Sequence, residues 1–109
     1  MAEYADFYEE RFRRNLAVYG HLRDRLERKI NLILRNPYLN TEHLGAVGKG
    51  LNLRDCRSAH IDRNFRIIFV ICEECRKVKD CQYCFCQGLP DRAVVFLTFG
   101  PYKGAYQMK

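Results

Sequence analysis

A chain of 109 residues with 48% hydrophobic content has enough apolar material for one buried core, and a second domain is not expected. Nineteen Lys and Arg against thirteen Asp and Glu leave a formal charge of +6, which on so small a surface draws phosphate polymers and acidic proteins. The acidic stretch from Met1 to Glu10 lacks the apolar run of a signal peptide, and no later stretch is long enough to cross a bilayer, so a cytoplasmic protein with no membrane partner is expected.

From Phe7 to about Tyr19, the apolar positions Phe12, Leu16 and Tyr19 fall at helical spacing, with Glu9, Glu10, Arg11, Arg13 and Arg14 on the other side. After Gly20 and His21 a second stripe, Leu22, Leu26, Ile30, Ile33 and Leu34, runs until Asn36-Pro37 stops it. Two amphipathic helices joined by a tight turn make a hairpin whose inner face needs a sheet to cover. Residues 38–50 hold three glycines and little periodicity and read as a loop. Strands are expected over residues 51–61, 65–72 and 93–99, the first two joined by a turn at residues 61–64, and residues before Phe7 add one more short strand. The expected fold is α+β: one domain over residues 1–109, an N-terminal helical hairpin on a twisted antiparallel sheet of three to four strands. A cysteine-rich insertion at about residues 72–91 interrupts the last strand connection.

The insertion holds two C-x-x-C pairs, Cys72 with Cys75 and Cys81 with Cys84, and Cys86 follows closely. Two thiolates from one tight turn occupy adjacent vertices of a tetrahedron and a second turn supplies the rest, so the four form a structural zinc site on this reading. A disulfide, a redox pair or free buried thiols are the alternatives. Cys86 is a spare that can replace one ligand, and Cys56 is read as packing.

The order and spacing of several segments resemble the RelE/ParE toxin superfamily over nearly the whole chain. They are Ile33 to Tyr38 closing the second helix, His43-Leu44-Gly45, Leu53-Arg54, His60-Ile61, Asn64 to Phe69, and the closing run from Phe96 to Tyr106. The resemblance implies a concave basic face that enters the ribosomal decoding site and cuts messenger RNA, and an acidic antitoxin that neutralises it. It places catalytic roles on Arg54, Arg66, Tyr102 and Tyr106; beside them Lys49, in a glycine-flanked loop, His60 and Lys103 are read as RNA-binding residues. The family's frequent pattern is His-x-x-x-Tyr, so Tyr102 stands where a histidine is more usual.

The chemistry follows from RNA itself. Its 2′-hydroxyl is an internal nucleophile, so a protein can cut the chain by aligning that oxygen with phosphorus, moving two protons and stabilising the charge on the phosphorane, with no cofactor for catalysis. Guanidinium groups suit the last task because they stay charged and offer forked donors to phosphate oxygens. A tyrosine, with a reference pKa of about 10, needs neighbouring cations to act as a base, or it stacks on an unpaired RNA base. Against these roles, Arg54 is also an ordinary strand arginine, and Arg66 is also a partner for Asp62 beside the turn. Two other functions share the resemblance: a non-nuclease inhibitor of gyrase, as in the ParE branch, and an inactive zinc-stabilised module that binds RNA or protein.

Pleat parity supplies one geometric expectation. Directly opposed residues in a hairpin project to the same side. A two-residue turn at Asp62-Arg63 pairs Ala59 with Arg66 and leaves Arg54 and Arg66 on opposite faces. An odd loop opposes Arg66 to Ser58 or His60, gathering Asn52, Arg54, Ser58, His60 and Arg66 on one surface and leaving Leu51, Leu53, Ala59, Ile61, Ile67, Phe69 and Ile71 for the helices. The core and the chemistry both prefer the odd register.

Overall fold

The computed structural model describes residues 3–43, 56–77 and 86–101. Strand β1, Ala5–Tyr8, leads into helix α1, Glu10–Val18, and a single 3-10 turn at Gly20–Leu22 connects it to helix α2, Arg23–Arg35. Strands β2, Glu42–His43, β3, Arg57–His60, and β4, Phe65–Ile71, follow, then the one-turn helix α3, Cys72–Cys75, and strand β5, Ala93–Pro101.

The helical hairpin on a sheet is as the sequence implies, but the described residues form a five-stranded sheet, ordered β1-β5-β4-β3-β2, rather than three to four strands. It is mixed rather than wholly antiparallel, because β1 runs parallel to β5, with Ala5 opposite Ala93 and Tyr8 opposite Phe96. Phe7 and Tyr8 therefore belong to a strand, and α1 begins only after Glu9, whose backbone is extended. The short strand expected before Phe7 is β1, which runs on to Tyr8, whereas the two residues of β2 give too few alternations to stand out.

Helices α1 and α2 lie on one face of the sheet. Phe12, Leu26, Ile30, Ile33 and Leu34 pack there against Ala59, Ile67, Phe69, Ile71, Val94, Phe96 and Phe99. This is the apolar set expected from the odd register, as far as it lies in the described residues. The opposite face carries a second core of Ile68, Val70, Ala93, Val95 and Leu97, covered by Cys72, Cys75, Cys86 and Leu89. Burial on both faces explains why β4 and β5 read as nearly unbroken apolar runs rather than alternating ones. A bulge in β5 lies between the pairs Ile68 with Thr98 and Phe69 with Phe96, so one β5 residue, Leu97, is extra. Leu97 thereby packs in the second core while Phe96 and Phe99 keep facing the helices.

Candidate nucleic-acid interface

Residues 62–64 form a three-residue loop between Ile61 and Phe65, whose amide and carbonyl are joined at 2.9 Å. Asp62 builds the loop: its Oδ1 accepts the amides of Asn64 at 2.8 Å and Phe65 at 3.0 Å, while Oδ2 accepts from Arg25 Nη1 at 3.2 Å. The Asn64 amide first, and the Phe65 amide and Arg25 after it, hold the Asp62 carboxyl below the usual carboxylate range. Because the loop is odd, His60 stands opposite Arg66 and both project away from the helices.

Arg66 Nη1 lies 3.1 Å from His60 Nε2. A guanidinium has only donors, so a hydrogen bond in this contact takes Nε2 as the acceptor. On its other side Arg66 is opposite Gly100 of β5, which brings no side chain to crowd the guanidinium. Next along the chain, Pro101 leads into Tyr102, Lys103 and Tyr106. These three lie outside the described residues, as do Arg54, Lys49, Cys81 and Cys84. Of the expected site residues, the structure brings together His60 and Arg66.

Among the described residues, the face that carries them is basic at its hairpin end. Ser58, two residues from His60, is buried, and beyond it the surface becomes the second core. There Cys72 is joined to Cys86 in a disulfide, with Cα atoms 5.3 Å apart, and Cys75 and Cys56 are buried beside it. Cys72 and Cys75 share the single turn of α3, as their spacing implied. Among the described residues no group of three or more His, Cys, Asp or Glu side chains is placed to hold a metal.

Two arrangements lay beyond the sequence reading. The first ties β3 to α3: Arg57 Nε and Nη2 each donate to Glu74 at 3.0 Å, Nη1 donates to Thr41 at 3.1 Å, and the guanidinium lies 5.0 Å from the centre of the Tyr38 ring. Beside it, Glu73 accepts from the hydroxyls of both Tyr4 and Tyr38. Burial, and then the Glu73 carboxylate, push the Tyr38 phenol well above the ordinary tyrosine range. The second is a cleft of about 380 Å³ beside the end of β5, lined by Arg11, Arg14, Asn15, Tyr19, Thr98, Phe99, Gly100 and Pro101. Asn15 is the one signal for it in the sequence, a polar residue three positions after Phe12 on the face expected to be apolar. Its Nδ2 donates to Phe99 O at 2.6 Å and Thr98 Oγ1 at 3.0 Å, which fastens α1 to β5.

No family model and no curated protein matches this chain. Among solved structures it is similar to YafQ of E. coli: YafQ alone superposes with a TM-score of 0.62 at 12% identity, covering 96% of this chain and 100% of YafQ. In the E. coli DinJ-YafQ toxin-antitoxin complex the TM-score is 0.61, again at 12% identity, over 97% of this chain and 100% of the other. The fold is that of YafQ. At this identity the likeness is one of fold. It agrees with the α+β architecture expected from the sequence. No helix among the described residues is long and apolar enough to cross a membrane.

Proposed function

We propose that this chain is the toxin of a toxin-antitoxin pair, a ribosome-associated endonuclease that stops translation by cutting messenger RNA through 2′-hydroxyl transesterification. The observation that carries the reading is the His60–Arg66 pair, held at the open end of the sheet by the odd loop, in a fold shared with YafQ. In this scheme the 2′-oxygen bonds to phosphorus, the bond to the 5′-oxygen breaks, and a cyclic phosphate results. One proton leaves the 2′-oxygen and one reaches the departing 5′-oxygen.

Arg66 holds the phosphate oxygens and offsets the charge that grows on them, a role shared with Arg54. When a phosphate takes over Arg66, His60 Nε2 loses its donor and becomes a free base, 3.1 Å from where that guanidinium nitrogen was. Tyr102 and Tyr106 deliver or accept the second proton, or stack on a base, and Lys49 and Lys103 add phosphate contacts. An acidic antitoxin covers the basic face, by analogy with the DinJ-YafQ complex.

Zinc remains a proposal for the reduced protein. Thiolates fit a structural zinc, but Cys72 cannot serve as a ligand while it is bonded to Cys86. On this reading, reduction frees Cys72 to join Cys75, Cys81 and Cys84.

The test of function uses a cell-free translation system programmed with ready-made messenger RNA, which separates RNA cutting from gyrase inhibition. The parent chain stops synthesis and leaves cut message, whereas Arg66→Ala, with an unchanged circular dichroism spectrum, does not. Equal inhibition by the alanine variant sinks the role given to Arg66.

A further inference from the structure

We propose that the cleft between α1 and the end of β5 is a second subsite for single-stranded RNA, one that takes the backbone next to the scissile phosphate. The proposal rests on the nuclease reading above and names where its substrate runs.

Arg11 and Arg14 are three residues apart on α1, so their side chains share one face of the helix, and both line the cleft. Arg14 is exposed and forms no ion pair among the described residues. Two guanidiniums on one wall suit phosphate oxygens, which they grip through forked donors. The opposite wall is the end of β5, and here the cleft meets the catalytic pair. Gly100 lines the cleft and is also the residue opposite Arg66. His60, Arg66 and Gly100 thus lie in a row across three strands spaced about 4.8 Å apart, and the row ends at the cleft. A strand of RNA whose phosphate sits on Arg66 passes over Gly100, which offers no side chain to block it, and reaches Arg14 and Arg11.

The rest of the lining favours a nucleic acid over an acidic protein segment. Asn15 spends its amide nitrogen on Phe99 and Thr98, which leaves its carbonyl oxygen as an acceptor. A carboxylate has no use for an acceptor, whereas ribose hydroxyls and base amino groups donate to one. The half-buried Tyr19 adds an aromatic edge. A volume of about 380 Å³ falls within the range of roughly 300–1,000 Å³ typical of ligand pockets. An acidic amphipathic segment has a better seat elsewhere, in the groove where Arg25, Arg28 and Lys29 surround Leu32 and Ile61. There cations flank apolar side chains.

The experiment measures binding of a fluorescent RNA oligonucleotide, 2′-O-methylated throughout so that it cannot be cut, by anisotropy over a salt series. Parent, Arg14→Ala and the Arg11→Ala/Arg14→Ala double variant are compared, with thermal midpoints as a control and polyglutamate as a competing anion. Alanine suits an exposed helix position, so Arg14→Ala keeps the fold even where loss of the partly buried Arg11 does not. Binding weakens several-fold in the double variant, and the slope of log affinity against log salt falls by about 0.7 for each arginine removed. An unchanged slope in folded variants, while the parent still binds RNA and stops translation, overturns the subsite and leaves the nuclease reading standing. A parent that neither binds the oligonucleotide nor stops translation overturns both. Loss of polyglutamate binding with RNA binding intact assigns the cleft to an acidic protein and overturns the proposal.

Discussion

Replacing Glu74 with alanine removes the carboxylate that Arg57 grips at three points of 3.0, 3.2 and 3.0 Å. The side chains are 14% and 20% exposed, so the pair lies closer to a buried than to a surface ion pair. Exposed pairs contribute about 0.2–1 kcal/mol, and removing one partner of a buried pair costs about 3–5 kcal/mol because the other charge is stranded. In the variant Arg57 keeps Thr41 and the Tyr38 ring, which offset part of that cost. The expected loss is therefore about 2–3 kcal/mol, or at least roughly 8 °C in the thermal midpoint of a domain this size. Urea unfolding of parent, Glu74→Ala, Arg57→Ala and the double variant gives the coupling directly, and about 1–2 kcal/mol is expected. A loss under about 1 kcal/mol for Glu74→Ala, or a coupling under about 0.5 kcal/mol, refutes the view that this fork holds β3 to α3.

The Asp62 carboxyl titrates low in the folded chain, so its contribution is present above the unfolded value of about 3.9 and is lost as pH falls through the lower folded value. Asp62→Asn keeps an acceptor but not the charge, and its unfolding midpoint should fall less than the parent's on acidification below about pH 4; equal slopes exclude the effect. Tyr8 and Tyr38 are both raised far above the ordinary phenol, by burial first and then by Asp6 and Glu73 respectively. Their stabilising share is complete below about pH 10 and drains away above it, so ultraviolet titration should show fewer than all seven tyrosines ionising before the chain unfolds. Reduction of the Cys72–Cys86 bond, which closes a loop of 14 positions, should cost about 3 kcal/mol. Added zinc should restore part of this with about one metal bound, and metal analysis finding none in the reduced protein removes zinc from the account.

The sequence carried the helices well, because Phe12, Leu26, Ile30, Ile33 and Leu34 recur at the helical period and Asn36-Pro37 ends it. It also carried the register of the central hairpin, since only an odd loop keeps Ala59, Ile67 and Phe69 together on the helix side. The parallel pairing of β1 was not legible, as orientation leaves no mark on four residues. The second core was missed for a related reason: cysteine spacing describes which sulfurs share a turn, as Cys72 and Cys75 do, and is silent on what the turn packs against. Cys86 was read as a spare, and only the fold shows it returning over β4 to meet Cys72. Arg11 and Arg14 fall on the side of α1 opposite its apolar stripe, which on an isolated helix is a solvated face. They become one wall of a cleft only once β5 supplies the other.

The pairing of the first strand with the last sets an order of events during synthesis. Until β5 has left the ribosome, β1 has no neighbour, Asn15 has no Phe99 carbonyl 84 positions further on, and Arg66 has no Gly100 beside it. Contacts between such distant segments form late, because the chain between them must first be ordered. Nascent chains still attached before β5 hold the helical hairpin and part of the sheet but neither the cleft nor the finished His60–Arg66 surround. The site proposed above is therefore complete only once β5 has emerged and paired with β1 and β4.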